Sequence, residues 1–309
     1  MSMISVIVPF YNERESVLEL HSRLVDVFKK FGKPFEIIFV DDGSIEGTFE
    51  EIKKCKPVRA FRLARNFGQT TAFGVGIFEA KGDIIVTLDG DLENKPEEIP
   101  ILLKKLDEGY DVVSGWRKDR WAGELFTRKI PSLVANSLIS VVTGTKLHDH
   151  GSSLRVYKKS AFAGINFVGE IHRMLVAFIG MNGAKVTEVP VTYAKRKYGK
   201  SKYGLSRIFR VLLDLIAFNF FRTYAKRPMH FFGYVGIISI TSGFLTFVWA
   251  LALRFVYGTH FNQTPLPILV AIFIVIGFQF ILMGLLAEIL VRIQKNGENQ
   301  YSIGERIEN

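Results

Sequence analysis

A buried strand that ends in acidic residues is the feature that most limits the folds open to this chain. Ile84 to Leu88 is apolar and rich in β-branched residues, which is typical of a buried strand in a parallel sheet. Asp89-Gly90-Asp91-Leu92-Glu93 follows at once. Three carboxylates this close repel one another unless a cation lies between them, and oxygen ligands favour Mg²⁺ or Mn²⁺. The alternative is an acidic turn that caps the helix near Pro96.

Two earlier apolar runs end in a similar way. Ile4 to Val8 leads into Pro9-Phe10-Tyr11-Asn12-Glu13, and Glu36 to Val40 leads into Asp41-Asp42-Gly43-Ser44. Helix-like stretches such as Arg14 to Phe31 follow the strands, and alternating β and α segments predict an α/β fold with a mostly parallel, Rossmann-like sheet. The acidic strand ends then share one crevice at the carboxyl edge of that sheet.

Glycine-rich phosphate loops are missing from the predicted strand ends. No Gly-x-Gly-x-x-Gly follows the first strand, which disfavours a nicotinamide site, and Gly199-Lys200-Ser201 lacks the preceding strand and spaced glycine of a phosphate loop. A nucleotide bound to this sheet would therefore be held through carboxylates and a metal ion.

The C-terminal third contains two long apolar stretches, Phe231 to Phe255 and Leu266 to Ala287. At about 1.5 Å per residue, each is long enough to cross a bilayer as a helix. We therefore predict transmembrane helices at about 231–255 and 266–288. The short loop between them has no Lys or Arg, whereas basic residues flank the outer ends at Arg222, Lys226, Arg227, Arg292 and Lys295. The positive-inside rule predicts that the N-terminal domain and both termini are cytoplasmic.

A segment with helical apolar spacing, Leu205 to Tyr224, precedes the first apolar stretch. Arginines flank its apolar face, which is typical of an amphipathic helix in the headgroup layer, although packing against the N-terminal domain is the alternative. Leu125 to Val142 is a second candidate of this kind. The resulting division is an N-terminal domain at 1–203, a juxtamembrane helix at 204–227 and a membrane domain at 228–309.

Charge and composition exclude several classes of protein. The net charge of +10 suits contact with anionic lipid or phosphorylated substrates, and the basic residues are not gathered in one arm as in many nucleic-acid-binding proteins. Cys55 is the only cysteine, so no intrachain disulfide forms and a reducing compartment is expected. His148 and His150 flank Asp149, but no His-x-x-x-His spacing supports a zinc site.

Several motifs in order resemble those of one enzyme family. Val8 to Glu13, Val40 to Ser44 and Asp89-Gly90-Asp91 resemble the donor-site motifs of family 2 inverting glycosyltransferases with the GT-A fold. The similarity is greatest to dolichyl-phosphate mannose synthases and bacterial bactoprenol (undecaprenyl-phosphate) glycosyltransferases. It continues through Val113 to Arg117 and Arg196 to Tyr203 into the membrane tail.

The resemblance implies a donor site at the acidic strand ends. Asp91 is the strongest candidate ligand for Mg²⁺ or Mn²⁺, and Asp89 contacts the metal or the ribose. Glu93 stands where the family often has Gln, so it is either an additional metal ligand or a solvent-facing group. The positions matched to binding of the donor nucleotide are Pro9, Tyr11, Glu13, Val40, Asp41, Asp42, Asp89 and Gly90. An ordinary strand-to-helix turn is the alternative for Asp41 to Ser44.

The resemblance also implies a cationic acceptor site. Arg117, Arg196 and Lys202 match residues that bind phosphate, and Arg128 and Ser201 join them. The loop Lys195 to Tyr203 either closes over substrate or only recruits anionic lipid. Asp149 lies near a family acidic position, where it orients the sugar or a basic side chain.

The implied reaction is transfer of a hexose from GDP-mannose or UDP-glucose to dolichyl or undecaprenyl phosphate, with an aminosugar also open. The acceptor is largely dianionic near neutral pH, so it attacks the anomeric carbon without a general base. The catalytic groups are Asp91, through its metal, and Arg117, which stabilise the departing nucleoside diphosphate. Related bactoprenol enzymes can assemble as multimers, so the resemblance leaves a homo-oligomer open. The alternatives are a membrane-bound sugar-nucleotide sensor or scaffold, and a processive synthase, which the missing Gln-x-x-Arg-Trp motif disfavours.

Overall fold

A computed structural model gives the fold of the chain in two compact units, Met1–Leu215 and Ile216–Asn309. The boundary falls inside the predicted juxtamembrane segment 204–227, and a separate domain there stays a prediction. The structure describes residues 3–118, 120, 130–165, 174–194, 220, 223–224 and 227–295. Most of the first amphipathic segment, 205–224, therefore lies outside the described residues.

The first unit is built on a seven-stranded sheet with the order β3-β2-β1-β4-β6-β5-β7. Its strands are β1 (Ile4–Phe10), β2 (Phe35–Asp41), β3 (Arg59–Arg62), β4 (Ile84–Thr87), β5 (Val112–Arg117), β6 (Arg155–Lys158) and β7 (Val186–Val191). Every neighbouring pair is parallel except the two that β6 makes, with β4 and with β5. The predicted α/β class with a mostly parallel sheet is confirmed.

Helices cover both faces of this sheet. They are α1 (Val17–Phe31), α2 (Thr48–Lys54), α3 (Gln69–Glu79), α4 (Ile99–Asp107), α5 (Ile130–Thr143) and α6 (Leu175–Met181). Side chains alternate along each strand, so Val6 and Val8 belong to the core beneath α1 and α4, whereas Ile7 belongs to the core beneath α3 and α6. The second predicted amphipathic helix, Leu125 to Val142, is described from Ile130 onward as α5.

The strands of the predicted donor site extend further than the sequence indicated. β1 includes Pro9 and Phe10, and β2 includes Asp41. A proline is tolerated in β1 because the backbone N–H and C=O groups of successive residues point to the neighbouring strands on opposite sides. The Phe10 carbonyl accepts from Asp42 N on the β2 side, so the missing N–H of Pro9 faces β4, whose pairing with β1 ends at Ile7.

The reversed strand β6 brings its starting residue to the edge where the other strands end. Arg155 pairs with Thr87 of β4 and with Ser114 of β5. The loop before β6 therefore lies beside the carboxyl ends of β4 and β5. Its backbone is fixed there, since Thr87 Oγ1 donates to Ser153 O at 2.9 Å and Gly115 N donates to Leu154 O at 2.8 Å.

In the part of the second unit that the structure describes, the two long helices are α7 (Pro228–Tyr257) and α8 (Leu266–Lys295), which include the predicted spans. Both are long and apolar enough to cross a membrane. Only 22% and 11% of their most apolar windows are buried, unlike the core helices of a soluble protein. A Cβ on Gly236 would lie 2.8 Å from Gly277 O, and one on Gly277 would lie 2.9 Å from Gly236 O. Only glycine at these two positions lets the two helix backbones approach this closely.

Candidate active site

The acidic turn after β4 packs tightly against the end of β1. A Cβ on Gly90 would lie 2.5 Å from the Phe10 ring and 3.1 Å from Pro9 O, so only glycine fits between the two flanking carboxylates. Leu92 has a positive φ of 62°, and Glu93 N donates to Asp91 Oδ1 at 3.1 Å. These contacts define a compact turn in which Asp89 and Asp91 lie close together.

Asp89 is held by neutral donors and crowded by other carboxylates. Gln69 Nε2, in the first turn of α3, donates to Asp89 Oδ1 at 2.5 Å, and the Ser153 hydroxyl donates to the same carboxylate. Burial and the neighbouring charges of Asp91 and Glu93 raise the pKa of Asp89 to about 6, against the opposing effects of Ser153 and Arg117. This turn therefore carries negative charge that a cation would stabilise.

Glu93 is 8% exposed, so it does not face solvent as one sequence interpretation allowed. Its charge raises the pKa of Asp89 and also that of Tyr193, whose pKa is raised mainly by burial. Within the described part of the chain, no group of three or more His, Cys, Asp or Glu side chains is arranged to hold a metal ion. Asp89, Asp91 and Glu93 thus do not form a ready-made three-ligand site, and an ion bound there would need oxygens from its substrate.

Asp42 fastens the loop that leads from β3 into α3. Its carboxylate accepts from Asn66 Nδ2 at 3.0 Å, Phe67 N at 2.8 Å and Gly68 N at 2.9 Å. Burial raises the pKa of Asp42, and the charge of Asp41 adds to the shift. The direct role of Asp42 in nucleotide binding stays a prediction, and its visible role is to hold the loop in front of Gln69.

The Asp41 carboxylate has different partners from that of Asp42. Its Oδ1 accepts from Ser44 N at 3.1 Å, and its Oδ2 lies 3.4 Å from Arg62 Nε in an ion pair. Gly43 lies between these elements with a φ of 71°, and a Cβ there would meet Arg65 C at 2.4 Å. The predicted turn therefore exists, and its glycine is required by both conformation and space.

The ends of β1 and β2 are locked together. Asn12, with a φ of 55°, donates from its backbone to Ser44 Oγ at 2.9 Å and accepts from Ile45 N at 3.0 Å. Glu13 N donates to Thr48 Oγ1 at 3.2 Å. Pro9 and Val40 are buried strand residues, whereas Tyr11 is 37% exposed beside them. The structure thus brings the predicted nucleotide-binding residues to one edge, and their individual roles stay predictions.

Arg117 ends β5 in a buried ion pair. Its Nε donates to Asp149 Oδ2 at 2.7 Å and its Nη2 to Asp149 Oδ1 at 3.1 Å, and the two residues are 5% and 9% exposed. Burial alone would raise the pKa of Asp149, but the charge and hydrogen bonds of Arg117 hold it below its ordinary value. Asp149 therefore orients a basic side chain, one of the two roles proposed for it from the sequence.

A second arginine lies beside this pair. The Arg120 guanidinium lies 5.7 Å from the centroid of the Tyr193 ring and hydrogen-bonds to that side chain, and its charge further lowers the pKa of Asp149. Tyr193 forms a bridge with Asn94, and Ala194 N donates to Glu93 O at 3.1 Å. The segment after β7 is thereby joined to the acidic turn.

Sequence reasoning missed Gln69, Asn94, Arg120, Ser153 and Tyr193. One signal for Gln69 was its position after Gly68, in a loop that follows a strand toward the same sheet edge. The predicted acceptor residues Arg128, Arg196, Ser201 and Lys202 lie outside the described residues.

Comparison with known proteins identifies the family. Residues 5–165 match the sequence profile of Glycosyl transferase family 2. The chain belongs to this family. It is 38% identical over 297 residues to the dodecaprenyl-phosphate galacturonate synthase of Rhizobium johnstonii, covering 94% of this chain and 88% of the relative. It is 35% identical over 296 residues to the undecaprenyl-phosphate 4-deoxy-4-formamido-L-arabinose transferase of Serratia proteamaculans, covering 94% and 89%. The predicted resemblance to polyprenyl-phosphate glycosyltransferases is confirmed.

Solved structures confirm the fold. Glucosyl-3-phosphoglycerate synthase of Mycobacterium tuberculosis, solved with Mn²⁺, UDP and glucosyl-3-phosphoglycerate, matches with a TM-score of 0.54 at 18% identity, over 72% of this chain and 79% of that one. Mannosyl-3-phosphoglycerate synthase of Rubrobacter xylanophilus matches with a TM-score of 0.52 at 15% identity, over 72% and 74%. At these identities the likeness supports the GT-A fold alone.

Proposed function

We propose that this glycosyltransferase moves a sugar from a nucleoside-diphosphate sugar to the phosphate of a membrane polyprenyl phosphate. The observation that carries the proposal is the extent of the similarity to two transferases named for polyprenyl-phosphate products. Because it covers 94% of the chain, it includes both the acidic sheet edge and the two apolar helices. A soluble acceptor would give no reason for those helices to accompany the sheet.

A divalent ion, Mg²⁺ or Mn²⁺, fits the turn between Asp89 and Asp91. Burial raises the pKa of Asp89, and the charges of Asp91 and Glu93 add to the shift; carboxylate oxygens gathered in this way are the ligands that such ions prefer. Donor diphosphate oxygens would complete the coordination, with Glu93 close enough to act electrostatically. The bound ion would neutralise charge on the departing nucleoside diphosphate.

Arg117 is proposed to contact phosphate at the other side of the crevice. A guanidinium has five N–H donors, and the bonds from Nε and Nη2 to Asp149 use two of them. Arg128, Arg196, Ser201 and Lys202 are proposed to complete the acceptor site. The acceptor phosphate is itself the nucleophile, so the site needs cations that orient it and no general base.

The proposal also covers the donor sugar, the lipid acceptor and the orientation of the protein in the membrane. GDP-mannose and UDP-glucose remain the donors inferred from the sequence, and the two relatives, named for galacturonate and for 4-deoxy-4-formamido-L-arabinose, widen the set of sugars to test. Dolichyl and undecaprenyl phosphate are both proposed acceptors. The distribution of Lys and Arg around α7 and α8 supports a cytoplasmic catalytic domain with both termini on the same side.

The test is a transfer assay with the full-length protein in detergent micelles. Radiolabelled sugar nucleotides are incubated one at a time with undecaprenyl or dolichyl phosphate, and the label is measured in the organic phase. We expect labelled lipid from at least one donor, dependent on added polyprenyl phosphate, abolished by EDTA and restored by Mn²⁺ or Mg²⁺. Nucleotide-sugar binding without labelled lipid would favour the sensor alternative. Full activity in EDTA would refute the requirement for a divalent ion.

A further inference from the structure

The Asp89 carboxylate is held from two separate elements of this chain. Gln69 approaches from α3 and donates at 2.5 Å, and the Ser153 hydroxyl donates from the loop before β6. Asp91 and Glu93 repel this carboxylate, so without these donors it would rotate away from Asp91. The two hydrogen bonds oppose that rotation.

Ser153 is itself fixed by a buried amide. Asn94, which is 2% exposed, donates from Nδ2 to Ser153 Oγ at 2.8 Å. A serine hydroxyl has one proton to donate, and the Asn94 amide occupies the acceptor side, so the Ser153 proton is directed to Asp89. The Ser153 carbonyl is held in turn by Thr87 Oγ1 at 2.9 Å. A chain of donors thus runs from Asn94 through Ser153 to Asp89.

We propose that Ser153, supported by Asn94, and Gln69 are positioning residues that hold the Asp89 carboxylate beside Asp91, so that a divalent ion meets a preformed pair of ligands. This inference rests on the proposed function, in which Asp89 and Asp91 bind the ion. Partners of this kind around a metal ligand reduce the reorganisation that binding requires.

The chain offers a matched control in the adjacent serine. Ser152 is 1% exposed, and its Oγ has no hydrogen-bond partner among the described residues. Ser153→Ala removes the hydroxyl that contacts Asp89, Ser152→Ala removes a neighbouring hydroxyl that does not, and Ser153→Thr keeps the donor. A general loss of packing in this loop would affect the first two variants alike.

The measurement is the affinity of the full-length protein for Mn²⁺ alone, followed by the electron paramagnetic resonance signal of the free ion. We expect Ser153→Ala to raise the Mn²⁺ dissociation constant about 10-fold, with Ser152→Ala and Ser153→Thr within about 2-fold of the wild type. Asn94→Leu, which has similar volume and removes only the support of Ser153, should raise the constant by less than Ser153→Ala does. The transfer rate of Ser153→Ala should recover at saturating Mn²⁺.

Outcomes separate this inference from the function on which it rests. Unchanged Mn²⁺ affinity in Ser153→Ala, or an equal loss in Ser152→Ala, overturns the inference. If Ser153→Ala fails to fold, Gln69→Ala tests the same carboxylate from α3, and wild-type affinity there overturns the inference. A wild type that binds no Mn²⁺ alone overturns the inference but not the proposed function, because the donor diphosphate would still supply the oxygens that bring an ion to the site. A wild type that binds Mn²⁺ but makes no labelled lipid overturns only the proposed function.

Discussion

The two halves of the sheet edge handle charge differently. At the ends of β2 and β4, Asp42 and Asp89 accept hydrogen bonds from neutral amides, whereas the neighbouring Asp41 pairs with Arg62. At the ends of β5 and β6, Arg117 and Asp149 neutralise each other. We therefore expect the first half to attract a cation, whereas in the second half Arg120 is the cation that lies beside an already neutral pair.

The largest expected effect concerns Asp91, in the acidic turn after β4. Asp91→Asn keeps the shape of the side chain and removes its charge, so we expect the transfer rate to fall about 1000-fold, which corresponds to about 4 kcal/mol. The extraction assay measures it at saturating donor. Asp26→Asn, an exposed position on α1, is the control and should leave the rate unchanged. A rate for Asp91→Asn within tenfold of the wild type would remove Asp91 from the metal site.

The half of the sheet edge that contains the Arg117–Asp149 ion pair is tested by breaking that pair. Arg117→Ala or Asp149→Ala leaves an unpaired buried charge, so each should lower the free energy of unfolding by about 3–5 kcal/mol. The double variant should lose less than the sum of the two single losses. Urea denaturation in detergent, followed by tryptophan fluorescence, measures these values.

The control for that experiment is a more exposed pair. Lys158 Nζ lies 2.8 Å from Asp111 Oδ1, and the two side chains are 42% and 31% exposed, so breaking this pair should cost less than about 1 kcal/mol. If the double variant of Arg117 and Asp149 regains stability but stays inactive, Arg117 has a role in turnover besides its pairing. Strictly additive losses would show that the pair is not coupled.

Acid should lower the free energy of unfolding through protonation of His150, in the loop before β6. Burial, and then the charge of Arg155, lower the pKa of His150 to about 4 against the opposing charge of Asp149, and its Nε2 lies 3.0 Å from Ser140 Oγ. The unfolded chain gains this proton near pH 6.5 and the folded chain only near pH 4, so stability is lost as the pH falls. Between pH 7.5 and 5 this contributes about 2 kcal/mol. His150→Gln should flatten the profile, and an unchanged slope would contradict the assignment.

The smallest expected effect concerns the loop held by Asp42. Asp42→Asn replaces two acceptor oxygens with one, so one of the bonds from Asn66, Phe67 and Gly68 is lost. We expect about 1 kcal/mol of stability to be lost, together with faster proteolysis in this loop. Glu50→Gln, on the exposed side of α2, serves as the control. Unaltered stability and proteolysis would mean that the loop is held by other contacts.

Much of the fold was predictable because local patterns encode it. The apolar runs at Ile4, Glu36 and Ile84 gave three central strands, and the two long apolar stretches correspond to α7 and α8. The strand β3 was missed because it has only four residues, begins and ends with Arg, and lies at a sheet edge. The reversal of β6 was also missed, since pairing direction depends on contacts far apart in the sequence.

The site was predictable where one stretch of sequence carries the chemistry. Asp89, Asp91 and Glu93 share a single turn, and the structure places them together. The groups that hold Asp89 are 20 and 64 positions away, at Gln69 and Ser153, and no local pattern connects them. Burial of Arg117 against Asp149 depends likewise on the reversed strand, although both residues were singled out from their charge and position.

The reversed strand β6 makes the two halves of the crevice mechanically dependent. The loop before β6 lies beside the ends of β4 and β5. In this loop Ser153 hydrogen-bonds to Asp89 of one half, and Asp149 forms the ion pair with Arg117 of the other. A slip of β6 by a single position would disturb both at once. A substitution in a loop that does not contact β6 would therefore leave both halves in place, whereas one that moves β6 would alter the two together.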